Sequence, residues 1–461
     1  MKRLFGTQGF RGITNETLTP EIAHNIGLAF AKYLNRVGTV VIGWDPRTSS
    51  EMLSHAISSG LMAGGCNVRL LGLIPTPVLS FAIPRMDCNA GVMITASHNP
   101  PQYNGIKLWG KDGAALTSEM EEQVEKIFFS KSKICVQWKQ CGHLVNTESF
   151  SPYYIQQVLQ QVDLERIQRK QFQVIADCGG GAASVIVPNL LRQAGVQVEL
   201  LHCTPDGFFK DRPPEPTEKN LSKLKQHVRQ GRANLGIAWD GDADRTVFIT
   251  HKGRYLMGDR TFALAAYHRL QGIKTHDRKI VTQVATSDII RDVAEILSAK
   301  LVLTRVGEPN IVSMMKRVNA LIGGEENGGV IYNGWSWTRE GMLTTLTILD
   351  LLAQEDKSLE ELDKQFPTYV QVKDKIQCEN EYKEKLLGQV ATMVPPDVNK
   401  ETLDGVKLRY PDGWVLFRPS GTEPIFRIFA EAKTKPRAES LAKMGMKLVR
   451  EAYEEISSNK E

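Results

Sequence analysis

The sequence has no long hydrophobic run, no clustered cysteines and no large excess of charge of one sign. No stretch approaches the about 18 apolar residues that a membrane-spanning helix needs. The first ten residues also have no apolar segment of the kind found in a secretory signal peptide. These absences predict a cytoplasmic protein that neither crosses nor binds a membrane.

Cysteine is scattered along the chain. The seven cysteines form no C-x-x-C pair and their number is odd, which argues against a zinc site and against a full disulfide framework. We therefore expect buried free thiols in a reducing compartment, at Cys66, Cys88, Cys135, Cys141, Cys178, Cys203 and Cys378.

Charge is close to balanced. The net charge is +5, and the acidic and basic residues, 24% of the chain, are interspersed without a basic run or a basic-aromatic tract. This composition is ordinary for a folded globular protein. It gives little support to nucleic-acid binding, so we expect no nucleic-acid partner. A local basic pocket for a small anionic substrate is equally compatible with it.

A recurring order of elements predicts α/β domains with mixed or parallel sheets. An apolar β-branched run, a turn of small residues, an amphipathic helix and a second apolar run occur three times. The three copies have first strands at 40–43, 172–176 and 280–284, helices at 51–64, 184–194 and 289–297, and return strands at 68–73, 196–201 and 301–304.

The C-terminal part has a different pattern. Short strands at 413–417 and 425–431 flank a Gly/Pro loop, and a long amphipathic helix is predicted over 436–455. These features indicate a smaller α+β domain. At roughly 100–200 residues per domain, the chain has room for four. We place them at 1–150, 151–252, 253–368 and 369–461, with polar linkers at 146–152, 251–253 and 364–368.

The first loop with candidate chemistry is Thr95 to Pro101, which follows the apolar run 91–94 and therefore lies at a predicted strand end. Its small residues should leave Ser97 accessible, and His98 could supply or accept a proton. A plain turn is the alternative, because Ser, Asn and Pro are common turn formers. The loop is not a G-x-S-x-G elbow, so an esterase is not indicated.

The second loop carries three carboxylates at alternate positions, Asp240, Asp242 and Asp244, followed by Arg245. They repel one another unless a cation lies between them, and hard oxygen ligands suit Mg²⁺ or Ca²⁺. An EF-hand is rejected, because Arg245 and His251 stand where it needs Gly and Glu. We predict a divalent cation here; a solvated acidic turn is the alternative.

Two further loops favour sugar and phosphate binding. In 323–329, glycines bracket Glu325 and Asn327, whose side chains suit sugar hydroxyls, although a flexible hairpin turn is the alternative. In 418–424, Arg418, two hydroxyls and a glycine could cradle a phosphate within a turn between two strands.

Taken together, the four loops resemble the α-D-phosphohexomutase family in content and order. The strings TASHNP (95–100) and DGDADR (240–245) carry most of the resemblance, which extends over the whole chain from the segment FGTQGFRG (5–12). The family implies three similar α/β domains and a smaller C-terminal α+β domain, heart-shaped around a central cleft in which the loops meet. It also implies a phosphosugar as small-molecule partner in a monomer or homodimer.

The resemblance implies a role for each matching residue. Ser97 looks like the phosphoserine, contacting Mg²⁺ together with Asp240, Asp242 and Asp244. Arg245, Arg11 and Lys107 match basic residues near the transferred phosphate. Glu325 and Asn327 fall in the sugar loop. The other phosphate would be held by Arg418, Ser420, Gly421 and Thr422.

This sequence departs from the family pattern at three places. Gln8 stands where many members have an acidic residue, Gly329 where many have histidine, and 325–327 is not the common Glu-x-Ser. The sugar and the residue that handles the hydroxyl proton are therefore open, with Lys107, His98 and Arg11 as candidates for the proton.

The implied reaction is a mutase reaction. Phospho-Ser97 would donate its phosphoryl group to a hexose monophosphate. The hexose 1,6-bisphosphate so formed would reorient and return its other phosphate to Ser97. Glucose and mannose phosphates are the expected substrates, with glucosamine phosphate a competitor and a dedicated phosphoglucosamine mutase or phosphopentomutase as alternatives. Two other classes are an aspartyl phosphatase using Asp240 and a non-catalytic sugar-phosphate sensor.

Overall fold

The computed structural model describes residues 4–6, 9–130, 135–145, 149–273, 278–394, 398–421 and 424–458. In these ranges the strands of three or more residues belong to four sheets, three mixed and one antiparallel. The helices pack against the sheets and against one another. None of the described helices is long and apolar enough to span a membrane.

The first sheet contains the candidate serine. Its elements are β1 (Phe10–Ile13), α1 (Pro20–Tyr33), β2 (Thr39–Trp44), α2 (Ser50–Ala63), β3 (Asn67–Leu73), α3 (Thr76–Arg85), β4 (Ala90–Ile94), β5 (Tyr103–Trp109), α4 (Ser118–Phe128) and β6 (Leu144–Val145). The strand order is β1-β5-β4-β2-β3-β6, with β2, β3, β4 and β6 parallel. α1 begins where Thr19 caps the amide of Ile22 and Pro20 sets the first helical φ.

The second sheet contains the three aspartates. Its elements are α5 (Ser151–Leu159), α6 (Leu164–Lys170), β7 (Gln173–Asp177), α7 (Val187–Gln193), β8 (Gln197–Leu201), α8 (Ser222–Gln230), β9 (Leu235–Trp239), β10 (Thr246–Thr250) and β11 (Tyr255–Leu256). The strand order is β11-β10-β9-β7-β8. Every residue of β9 is buried, as its unbroken apolar run predicts.

The third sheet contains the candidate sugar loop. Its elements are α9 (Gly258–Leu270), β12 (Lys279–Gln283), α10 (Ile289–Ile296), β13 (Lys300–Thr304), α11 (Glu308–Val318), β14 (Ile322–Gly324), β15 (Val330–Tyr332), α12 (Gly341–Glu355) and α13 (Leu359–Asp363). The strand order is β13-β12-β14-β15.

The fourth sheet is antiparallel throughout. Its elements are β16 (Val370–Gln377), α14 (Lys383–Met393), β17 (Asn399–Glu401), β18 (Val406–Tyr410), β19 (Gly413–Pro419), β20 (Ile425–Ala432) and α15 (Lys435–Ser458). The strand order is β16-β20-β19-β18-β17, and α15 packs across the sheet.

Each of the four sheets ends a central strand in a hairpin, and each hairpin carries one candidate loop. The turns lie between β4 and β5, β9 and β10, β14 and β15, and β19 and β20. In the first three sheets the strand that enters the hairpin is parallel to its other neighbour. In these three sheets the candidate loops therefore lie at the same edge, the carboxyl end of the parallel strands.

The predicted architecture is confirmed: three similar α/β units with mixed sheets are followed by a smaller α+β unit. The predicted βαβ elements are present in all three copies, although the second predicted helix divides into a 3₁₀ turn at Ala182–Val185 and α7. The turn at 251–253, interpreted above as a linker, lies instead inside the β10–β11 hairpin of the second sheet.

The expectation of free buried cysteines was wrong at four positions. Cys178 and Cys203 form a disulfide, because they follow the adjacent parallel strands β7 and β8 and meet at the ends of those strands. Cys135 and Cys141 are exposed. Cys66, Cys88 and Cys378 are free and buried as expected.

Candidate active site

Ser97 lies in the turn between β4 and β5 with a left-handed backbone, φ +50°. Its amide donates to Thr95 Oγ1 at 2.8 Å, which stabilises this uncommon conformation. The prediction that small neighbours leave Ser97 accessible was wrong, because its exposure is 0%. The turn of the second sheet covers it: a Cβ on Gly241 would lie 2.4 Å from the Ser97 carbonyl oxygen.

A buried arginine holds the shape of this serine loop. Arg47 forms an ion pair with Asp45 at 3.0 Å. Its guanidinium also donates to the carbonyl oxygens of Ser97 and Asn99 at 2.9 and 2.7 Å. Asp45 in turn accepts from Thr95 Oγ1 at 2.6 Å. Arg47 therefore stabilises the turn by donating to two of its backbone carbonyl oxygens.

The three predicted metal ligands converge in the turn between β9 and β10. Ligand atoms of Asp240, Asp242 and Asp244 lie within 4.8 Å of one another, and all three side chains are buried. Ala243 turns the backbone through φ +57°, which brings the alternate carboxylates to one side. The Gly179–Gly181 turn lies beside this loop, and the residue that follows the turn, Ala182, donates its amide to Gly241 O at 2.9 Å.

Neighbouring side chains occupy one oxygen of each carboxylate. Ser97 Oγ donates to Asp240 Oδ2 at 2.7 Å. Asp242 Oδ2 accepts from Thr76 Oγ1 at 2.7 Å and from Lys107 Nζ at 3.0 Å. Arg339 Nη2 pairs with Asp244 Oδ2. These contacts join the serine loop, the metal loop and the segment before α12.

The remaining oxygens fit a hard cation. Asp242 Oδ1 and Asp244 Oδ1 are buried and accept no hydrogen bond from the described residues. A buried carboxylate oxygen without a donor is unfavourable unless a cation reaches it. Burial and the charges of Asp244 and Asp242 raise the pKa of Asp240 well above its ordinary value. Burial also opposes ionisation of Asp242, but Lys107 and Thr76 outweigh it and lower the pKa of Asp242.

Basic side chains surround the serine and the carboxylates. Arg245 Nε lies 3.8 Å from Asp240 Oδ2 and 3.7 Å from Asp244 Oδ1. Arg11 donates to Asn99 Oδ1 at 2.7 Å, and burial together with Arg245 lowers the pKa of Arg11 to about 10. His98 Nδ1 is 3.3 Å from Ser97 Oγ. Arg245 and burial lower the pKa of His98 well below its ordinary value, so the imidazole is neutral.

The sugar loop is the tight turn between β14 and β15. Asn327 Nδ2 donates to Glu325 Oε2 at 3.3 Å, and Asn327 Oδ1 accepts from Gly329 N at 3.1 Å. Glu325 also pairs with Arg339 Nη1 at 2.6 Å. The loop touches the metal loop through Thr246 N and Gly328 O at 3.4 Å. Glu325 and Asn327 thus lie together, and Arg339 links Glu325 to Asp244.

The fourth loop is joined to the others less directly. Arg418 Nε pairs with Asp404 Oδ2 at 2.8 Å, and the same oxygen accepts from Val306 N of the third unit at 2.8 Å. Ser420 is buried, and its carbonyl accepts from Lys383. Gly421 is exposed beside it. Thr422, like Gln8, lies outside the described residues.

The structure therefore places the serine loop and the metal loop in direct contact, joins the sugar loop to the metal loop through Arg339, and links the phosphate loop to the third unit through Asp404. Four contributors were not predicted: Arg47, Thr76, Arg339 and Asp404. Only Arg47 had a visible sequence signal, in the Asp45-x-Arg47 turn of the first βαβ copy.

The chain matches a set of four domain families in order. They are described as phosphoglucomutase/phosphomannomutase alpha/beta/alpha domain I over residues 2–134, domain II over 152–253, domain III over 257–369, and the C-terminal domain over 369–448.

Two similar proteins have names that differ in the sugar. A phosphoglucomutase/phosphomannomutase of Thermococcus kodakarensis is 42% identical over 98% of this chain and 99% of its own. A phosphoglucosamine mutase of Methanocaldococcus jannaschii is 38% identical over 98% of this chain and 99% of its own.

Solved structures share the fold. A putative phosphomannomutase from Thermus thermophilus superposes with a TM-score of 0.83 at 28% identity, covering 97% of this chain and 98% of its own. An N-acetylphosphoglucosamine mutase of Aspergillus fumigatus, in complex with GlcNAc-6P and magnesium, superposes with a TM-score of 0.66 at 16% identity over 97% of this chain and 96% of its own.

Proposed function

Because the chain belongs to the phosphoglucomutase/phosphomannomutase family and is a phosphosugar mutase, we propose that Ser97 carries the phosphoryl group during its transfer between the 1 and 6 positions of glucose and mannose. The observation that carries the assignment is the hydrogen bond from Ser97 Oγ to Asp240 Oδ2, 2.7 Å long and 143 residues apart in sequence. It joins the serine loop to the acidic cluster.

Each proposed domain contributes one loop to the reaction. The loop of 1–150 supplies the phosphoserine, that of 151–252 the aspartates, that of 253–368 the sugar contacts, and that of 369–461 the grip on the non-transferred phosphate. Arg418, Ser420 and Gly421 would hold that phosphate, with Thr422 beside them. Since this loop recognises phosphate and not sugar, it can serve both orientations of the bisphosphate.

Asp240, Asp242 and Asp244 would hold Mg²⁺, and the donor-free oxygens of Asp242 and Asp244 support this assignment. A bound Mg²⁺ supplies positive charge that offsets charge on the transferred phosphoryl group. Arg245 adds a second positive charge on the same side, and Lys107 holds Asp242 in its ionised form.

Proton transfer is assigned to His98. In the forward step a sugar hydroxyl oxygen bonds to phosphorus as the bond from phosphorus to Ser97 Oγ breaks, so the sugar hydroxyl gives up its proton and Ser97 Oγ takes one up. Lys107 is committed to Asp242, and Arg11 keeps its proton near neutral pH with a pKa of about 10. His98 Nδ1 lies 3.3 Å from Ser97 Oγ, which favours His98 as the group that exchanges a proton with the serine oxygen.

The test is a panel of glucose, mannose, glucosamine and ribose phosphates with catalytic amounts of the matching bisphosphate. We expect conversion of glucose and mannose phosphates, and peptide mass spectrometry should find phosphate on Ser97 after incubation with glucose 1,6-bisphosphate. Ser97→Ala should lose both. Phosphate on Asp240 would instead identify an aspartyl phosphatase, and turnover of glucosamine phosphate alone would restrict the assignment to a phosphoglucosamine mutase.

A further inference from the structure

Arg339 is a buried arginine on which three carboxylates from separate elements converge. Its side chain is 3% exposed. Nη2 pairs with Asp244 of the metal loop, Nη1 with Glu325 of the sugar loop at 2.6 Å, and Nε with Glu308 at the start of α11 at 2.9 Å. Each of the three guanidinium nitrogens therefore lies within ion-pair distance of a carboxylate.

The surrounding backbone is shaped to admit this side chain. A Cβ on Gly329 would lie 2.2 Å from Arg339 Cδ, so the arginine stem occupies the space that a side chain at 329 would take. The next residue, Glu340, caps α12, and a Cβ on Gly341 would lie 2.5 Å from the Ala243 carbonyl oxygen. Arg339 thus directly precedes the first turn of α12, which packs against the metal loop.

We infer that Arg339 is a positioning residue that sets the distance between the metal loop and the sugar loop. This role rests on the proposed function of Asp244 and Glu325. By occupying Asp244 Oδ2, the guanidinium leaves the donor-free Oδ1 as the oxygen available to a cation. By holding Glu325 with its other arm, it fixes the sugar acceptor relative to that oxygen. A planar fork can do both at once, whereas an ammonium group is a single point charge.

The direct test is Arg339→Lys, which keeps the positive charge and removes the fork. We expect Mn²⁺ binding to the unligated protein, followed by electron paramagnetic resonance, to weaken about tenfold, since changing a residue that holds a metal ligand in place typically reduces metal affinity or activity by about 10–100-fold. The kcat for glucose 1-phosphate should fall about 100-fold for the same reason, with KM changed by less than about threefold.

The matched control is Arg254→Lys. Arg254 also pairs with two carboxylates, Glu360 and Asp363, but these lie on α13 and form no ion pair with the described residues of the four loops. We expect it to lower the melting temperature while leaving the Mn²⁺ affinity and kcat unchanged. If Arg339→Lys behaved like this control, Arg339 would be a structural residue only and the inference would be overturned.

A second variant separates geometry from folding. In Arg339→Ala, added guanidinium ion at millimolar concentration should restore Mn²⁺ affinity and turnover more than methylammonium ion of the same charge. Equal rescue by both ions would show that charge alone matters and would overturn the proposed role of the fork. The Mn²⁺ measurement does not depend on turnover, so it still tests Arg339 if the wild-type protein converts none of the sugars proposed above.

Discussion

The contact between the serine loop and the metal loop can be tested with one methyl group, in Gly241→Ala. Gly241 has no positive φ, so alanine introduces no backbone strain there. The new Cβ would lie 2.4 Å from the Ser97 carbonyl oxygen, about 1 Å inside the ordinary contact limit of 3.4 Å. The nearest atom is not the end of a flexible side chain, because it belongs to the backbone that Arg47 holds.

The two loops must therefore separate by about 1 Å, and such a displacement of reacting groups can lower a rate by about 100-fold. Overpacking of this kind also reduces the free energy of unfolding by about 1–3 kcal/mol. We expect kcat for glucose 1-phosphate to fall about 100-fold while the protein stays folded at 25 °C, measured by a coupled assay and by thermal unfolding.

Gly388→Ala is the control for this substitution. Gly388 lies within α14, and a Cβ there would meet nothing within 4 Å. Alanine should leave kcat unchanged and raise the free energy of unfolding by about 0.5–1 kcal/mol. A Gly241→Ala protein with the kcat of the wild type would show that the close approach of the loops is not needed for transfer, and would refute the reasoning.

Four further predictions concern the other parts of the site. Exhaustive chelation should abolish turnover and Mg²⁺ should restore it best, while Asp242→Asn should weaken Mg²⁺ dependence and turnover together; full activity in chelator would contradict a metal role. Arg418→Ala should raise KM for every phosphosugar by about 10- to 100-fold, because a charge-assisted contact is lost; a steady-state defect limited to one sugar would exclude a phosphate contact, and the variant also frees Asp404. Arg47→Ala should lower the free energy of unfolding by about 3–5 kcal/mol in urea titrations, because the buried Asp45 loses its partner; an unchanged midpoint would contradict this. Glu325→Gln should change the ratio of kcat/KM between glucose and mannose phosphates while Ser97 is still phosphorylated by the bisphosphate, and equal loss for both sugars without phosphorylation would make the loop structural.

The elements that alternate along the chain could be predicted because local sequence determines them. The βαβ copies beginning at Thr39, Gln173 and Lys279 each show an apolar strand, a small-residue turn and an amphipathic helix within about 35 residues. The three aspartates were equally visible, since they stand at alternate positions of one short segment. The disulfide was missed because pairing depends on which strand ends meet, and Cys178 and Cys203 do so only after β7 and β8 align.

The sequence by itself was enough to propose four loops for the chemistry, because the serine turn, the acidic turn, the sugar turn and the phosphate turn are each contiguous and each holds its own candidate side chains. Only the tertiary structure decided how these side chains are held. Asp242 depends on Thr76, 166 residues away, and Asp244 on Arg339, 95 residues away. Ser97 is buried because a turn from another sheet covers it. The reason is physical: a carboxylate is oriented by whichever donors packing brings to its second oxygen, and packing between sheets leaves no periodic trace in either segment.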